Sequence, residues 1–142
     1  MIFILLLNCS TNNFDYKNID ELMEIIKMEN NLNSYPELLV DGFDLNYKVL
    51  KGKINLNKDD IGYFDFVENE KKGILRIITK LPEIEKTEFD KFFVELDNKK
   101  IDFNEFKSLK LKNIIKKISL PAEKLNEQKY NNYEKVILLF TK

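Results

Sequence analysis

The chain has 142 residues, 44% of them hydrophobic and 33% charged, with four Gly, three Pro and a formal net charge of −1. That length suffices for one ordinary core, and the composition excludes a disordered, collagen-like or linker-dominated chain. There is no His, and Cys9 is the single cysteine. Ser-His-Asp and Cys-His catalysis are therefore excluded, as are His-based zinc or iron sites, a thiolate cage and an intramolecular disulfide. No metal and no cofactor is expected.

Charge is unevenly spread. Residues 15–70 hold thirteen acids and six bases, residues 71–142 eleven acids and seventeen bases. The basic residues are Lys except for Arg76. This reads as a mixed solvated surface once the halves fold together, or as a two-signed surface with a basic face for an acidic partner.

In chain order, Ile2–Leu7 is an uninterrupted apolar run followed by Asn8-Cys9-Ser10. It is far shorter than the roughly 20 residues of a transmembrane helix. Leu6-Leu7-Asn8-Cys9 resembles the lipobox of bacterial lipoproteins, in the relaxed form common in spirochaetes. The family's signals open with Lys or Arg, whereas here Met1 is followed by Ile2. The resemblance implies cleavage before Cys9, acylation of Cys9 and display at the cell envelope, on the outer surface or the periplasmic face. Residues 1–8 would then be the signal-like segment and residues 9–17 the lipidated Cys and tether. Multiple acyl chains, at roughly 0.8 kcal/mol per buried CH₂, make such an anchor stable. The alternative is that residues 2–7 form a buried strand of a cytoplasmic protein and Cys9 is a core thiol.

Residues 18–142 read as one domain. Asn18 followed by Glu21 resembles a capping box, and Ile19, Leu22, Met23 and Ile26 fall at helical spacing, so residues 18–29 read as a helix. Phe43, Leu45, Tyr47 and Val49 alternate with polar residues as a half-buried strand does. Ile61–Val67 and Ile74–Leu81 flank turn chemistry at 69–73 and read as a hairpin. Phe92–Leu96 and Ile101–Phe103 read as a second hairpin, or as a helix over 87–96 and a loop. Residues 109–118 fit helix and strand equally. Val136–Phe140 reads as a buried strand. No internal repeat is legible. The expected fold is α+β: an N-terminal helix packed on an antiparallel sheet of five or six strands.

Few clusters suggest chemistry. Ile101–Phe106 matches the end of an EF-hand loop, but Val94 and Leu96 fall where oxygen ligands are required and Lys99 where Gly should turn. Asp59, Asp60 and Asp65 read as a solvated turn, with a weak cation site as the alternative. Lys99–Lys117 is rich in Lys, with Phe103 and Phe106 interleaved. A slightly acidic chain with one Arg does not read as a nucleic-acid binder, so a polyanion or lipid headgroup is the better partner for that run. Tyr130 and Tyr133, in a polar loop, are candidate interface anchors. The candidate partner-binding residues are thus Tyr130, Tyr133, Lys110, Lys112, Lys116 and Lys117. The expected function is a non-enzymatic, lipid-anchored binding protein for a protein or polyanion. The alternatives are an envelope-assembly lipoprotein, an apolar-ligand carrier and a carboxylate hydrolase.

Overall fold

Asn18 opens the first helix, α1 (Ile19–Glu29), and its side chain accepts from the Glu21 N–H at 3.0 Å. Glu21 returns the contact one residue upstream, accepting from the Lys17 N–H at 2.7 Å. Ile19, Leu22, Met23 and Ile26 recur at three- and four-residue spacing and are fully buried. A stripe of that spacing must be covered by another layer, and here a sheet covers it. The computed structural model describes residues 2–5, 15–69 and 72–141, and residues 2–5 by their backbone alone.

The chain divides into two compact units, Met1–Lys80 and Leu81–Lys142. Unit 1 carries β1 (Ile2–Leu5), β2 (Glu37–Val40), β3 (Phe43–Asp44), β4 (Ile61–Asn69) and β5 (Lys72–Thr79), in the order β1-β4-β5-β2-β3. A short helix, α2 (Tyr47–Leu50), follows β3. Successive side chains of a strand alternate between faces. Leu38, Phe64, Phe66, Leu75 and Ile77 share one face and form one core with the buried stripe of α1. The other face carries Asp65 opposite Arg76.

Unit 2 carries β6 (Phe92–Leu96), β7 (Lys99–Lys100), the short helix α3 (Phe103–Lys107), β8 (Ile114–Pro121) and β9 (Lys135–Thr141), in the order β7-β6-β9-β8. Phe93 and Val136 lie directly opposite one another. They form a small core with Ala122 and Tyr130, against which Leu125, Tyr133 and Leu138 pack.

Four strands of each unit share one topology, β1 of unit 1 having no counterpart among the described residues of unit 2. β2 and β6 each run antiparallel to the two-residue strand that follows and parallel to the last strand of the unit. Each turn into the two-residue strand has two residues at positive φ: Asp41 and Gly42 at 53° and 89°, Asp97 and Asn98 at 51° and 69°. Positive φ at both central positions lets a two-residue turn match the twist of its strands. The long hairpins shift register at the same place, between Ile61 and Tyr63 and between Ile114 and Lys116. Asp41 accepts from the Thr79 N–H and hydroxyl at 2.8 and 2.6 Å, and Asp97 from the same groups of Thr141 at 2.8 and 2.5 Å.

Several expectations are corrected. The α+β class holds, but two sheets replace the single antiparallel sheet of five or six strands, and each contains a parallel pair. Two compact units stand where one domain over 18–142 was expected, and the shared topology is an internal repeat. The strand expected from Phe43 to Val49 stops at Asp44, because Asn46 turns left-handed at φ 46° and its N–H bonds to Asp44. Phe92–Leu96 is strand rather than the end of a helix. Its hairpin partner is Lys99–Lys100, while Phe103 opens α3 under a reciprocal Asp102–Glu105 cap. Residues 114–121 settle as strand. The helix at 18–29, the hairpin of β4 and β5 and the strand at 136–140 stand as read. The backbone of Ile2–Leu5 runs antiparallel to β4, with Ile2 opposite Asn69 and Leu5 opposite Phe66. Cys9 and residues 6–14 lie outside the described residues. Among the described residues, no helix is long and apolar enough to cross a membrane.

A candidate ligand cleft in unit 2

Unit 2 holds a cleft of about 700 Å³ where β7 meets α3. Phe89, Phe92, Phe103 and Tyr133 give it aromatic walls, and Ile101 adds an apolar contact. Local sequence explains each placement. Residues 86–91 form a 3₁₀ turn that buries Phe89, whose ring meets Phe103 edge-on at 5.6 Å. The α3 cap fixes Phe103: Asp102 accepts from the Glu105 N–H at 2.8 Å and Glu105 from the Asp102 N–H at 3.3 Å. An apolar wall with a few oriented polar groups is the usual make-up of a ligand site.

Lys100 is the polar centre of the cleft. Its ammonium donates to the Tyr133 hydroxyl at 2.6 Å. It also lies 4.9 Å from the centroid of the Tyr133 ring and 5.5 Å from that of Phe93. A cation held over aromatic faces is attracted by their quadrupoles and loses side-chain freedom. The remaining charges are Lys86, Asp90, Asp102 and Glu105. Asp102 and Glu105 are both committed to the α3 cap, so neither is a free acid–base pair.

The sequence candidates part company here. Tyr133 lines the cleft and is half-buried. Tyr130 is not an exposed anchor: it is 5% exposed and packs edge-on against Phe93 at 5.0 Å. The stretch 122–134 carries apolar residues at Ala122, Leu125 and Tyr130 that fold back onto β6 and β9, which local polarity disguised. Its neighbour Lys129 lies 5.0 Å from the Tyr130 ring centroid, and a hydrogen bond with Tyr130 raises the Lys129 pKa.

The lysines do not make one basic face. Lys110 and Lys112 are exposed, Lys116 is half-buried 5.8 Å from the Phe140 ring centroid, and Lys117 is 7% exposed. Lys116 and Lys117 are consecutive in β8, and consecutive strand residues point to opposite faces. The cleft residues that sequence reasoning missed are Phe89, Phe92 and Lys100. The Asp97-Asn98 turn that places Lys100 was legible, but which side chains converge there was not.

The acidic clusters also resolve into structure. Asp60 accepts from the Asn57 N–H at 2.9 Å in a capping box. Asp65 takes a two-pronged bond from Arg76, at 3.1 Å from Nε and 2.6 Å from Nη2, and a third from the Tyr63 hydroxyl at 3.2 Å. Among the described residues, no group of three or more potential ligands could hold a metal ion. No protein-family model matches this chain, and no characterised protein or solved structure is significantly similar to it.

Proposed function

We propose that this chain is a non-enzymatic binding protein that engages a protein partner through the unit 2 cleft and is displayed from a membrane by a lipid on Cys9. The observation that carries the binding reading is the aromatic cleft centred on Lys100 and Tyr133. Rigid aromatic side chains supply large contact area at low entropic cost and anchor protein interfaces. A polyanion is the weaker partner, because Lys116 and Lys117 face opposite ways. The test is a photo-crosslinking residue at Phe103 in the cell of origin, with exposed Lys124 as control position. One adduct formed from position 103 only, and lost with Tyr133→Ala, supports the reading. Equal labelling from both positions defeats it.

The anchor rests on the lipobox-like Leu6-Leu7-Asn8-Cys9. A second reading draws on β1: with Ile2–Leu5 retained as the edge strand of the unit 1 sheet, the chain stays unprocessed in the cytoplasm. Intact mass of the native protein separates the two. Residues 9–142 plus acyl chains is the mass that the anchor requires, and an unmodified chain containing Ile2–Leu7 excludes it.

A further inference from the structure

The repeat places a second cleft. Advancing 56 positions from β2 carries Leu38 to Val94, Asp41 to Asp97 and Leu45 to Ile101. The backbone follows: Leu45 N–H donates to Leu38 C=O and Ile101 N–H to Val94 C=O, both at 3.1 Å. The same step carries Pro36 to Phe92, Asp44 to Lys100, Asn46 to Asp102 and Tyr47 to Phe103. All four of the former line a cleft of about 320 Å³ in unit 1, and all four of the latter line the cleft in unit 2. None of these four cleft-lining pairs is identical, so the cleft belongs to the backbone unit: it forms where the two-residue strand hands over to the short helix.

Aromatic character is kept at the first position of that helix, as Tyr47 and Phe103. Charge is not. Asp44 stands where Lys100 stands, and Glu37 adds a second carboxylate to the first cleft where Lys86 adds a second ammonium to the other. Lys48 is the remaining charge of the first cleft. In the second, Asp102 and Glu105 are spent on the α3 cap, which leaves Asp90.

We propose that the two clefts are side-chain receptors of opposite charge preference, each taking an aromatic or aliphatic side chain of a polypeptide partner. The unit 1 cleft takes one beside a cationic group and the unit 2 cleft one beside an anionic group. This rests on the binding reading above, and charge complementarity with Asp44 and Lys100 is what selects the occupant. Neither site needs more than a partly exposed apolar contact and one complementary charge: the contact is Tyr35 in unit 1, where Tyr47 and Pro36 are buried, and Phe92, Phe103 and Tyr133 in unit 2.

The experiment is amide-resolved NMR of the full chain at neutral pH, titrated with two one-ring probes, phenethylammonium and 3-phenylpropionate. The expected result is that phenethylammonium shifts the amides of Asp44, Asn46 and Tyr47, and phenylpropionate those of Lys100, Ile101 and Phe103. Asp44→Asn keeps the acceptor for the Asn46 N–H and should weaken the first probe about two- to five-fold without affecting the second. Lys100→Met should do the converse by a similar factor, with an unchanged amide spectrum outside unit 2 as the check on folding. Both probes in one cleft, or no response to either charge change, overturns the proposal. Phenylpropionate seated in the unit 2 cleft with nothing in unit 1 overturns the unit 1 receptor and leaves the binding reading standing. Failure of both probes in both clefts defeats both.

Discussion

The two units use one sheet plan and cover it with different segments, although Val94, Ile137 and Leu139, at the positions of the unit 1 core, are buried in unit 2 as well. Unit 1 covers the face carrying Phe64, Phe66, Leu75 and Ile77 with α1. Unit 2 folds the stretch 122–134 over the opposite face, against Phe93, Val136 and Leu138. The hairpin connections differ: two residues separate β4 from β5, whereas thirteen separate β8 from β9. Equivalent positions then take opposite chemistry. Asp65 and Arg76 lie opposite one another in unit 1, and Ile118 and Leu138 lie opposite one another at the matching register in unit 2. What the comparison teaches is that backbone pairing and turn geometry define the repeat. Which segment lies on which face differs between them: α1 on the face of Leu38, Leu75 and Ile77 in unit 1, the stretch 122–134 on the face of Phe93 and Val136 in unit 2.

The largest expected effect tests the covered face of unit 1. Phe64→Ala should cost about 3–5 kcal/mol, the usual range for emptying a fully buried aromatic site, measured by urea unfolding. A loss under 1 kcal/mol would mean that the α1 face is not the principal core. Next comes the face of unit 2 that lies under the stretch 122–134. Tyr130→Ala should lower stability by about 3 kcal/mol, because Tyr130 packs on Phe93. Unchanged stability would return Tyr130 to the surface role read from sequence.

The third test exchanges the outer-face chemistry. Arg76→Leu alone strands a buried carboxylate and should cost about 3 kcal/mol. Asp65→Ile with Arg76→Leu reproduces the pair of unit 2 and should recover to within about 1 kcal/mol of the parent. A double variant as unstable as the single would show that the ion pair specifies the unit 1 sheet. Asp41→Ala is expected to be milder, at about 1–2 kcal/mol, through loss of the two bonds from Thr79.

The smallest effect is a pH dependence. The Thr141 hydroxyl, then the Thr141 N–H, hold the Asp97 carboxyl below its ordinary 3.8. A carboxylate with a depressed folded pKa contributes stability above its unfolded value and loses it as pH falls through the folded one. The Asp97 contribution is therefore full above about pH 4 and fades below it. Asp97→Asn should flatten that acid limb of the unfolding midpoint slightly. An identical acid limb in the variant would remove Asp97 from the account.

Much of this was legible locally. The α1 cap and stripe announce themselves because both lie within one helical segment. Asp97-Asn98 reads as turn chemistry, and Asp41-Gly42 carries the same two-residue turn signal, though β2 before it went unread. The repeat escaped because few equivalent residues are identical and the spacing is not constant: it is 56 at the first turn, 53 from Ile61 to Ile114 and 62 at the terminal Thr, the added length lying in the stretch 122–134. The cleft escaped for a related reason: Phe89, Phe92, Lys100 and Tyr133 are scattered over 45 positions and meet only when the 86–91 turn, β6, β7 and the stretch 122–134 close on one another.

The sequence by itself determined the absence of histidine chemistry, the α+β class, the first helix and the β4–β5 hairpin. Each follows from composition or from a period within a few turns of chain. Tertiary structure alone decided that there are two sheets, that Tyr130 is core while Tyr133 faces a cleft, and that Lys116 and Lys117 part to opposite faces. Those outcomes depend on which strands pair and which segment covers them. Such contacts join residues far apart in sequence, and no local pattern encodes them.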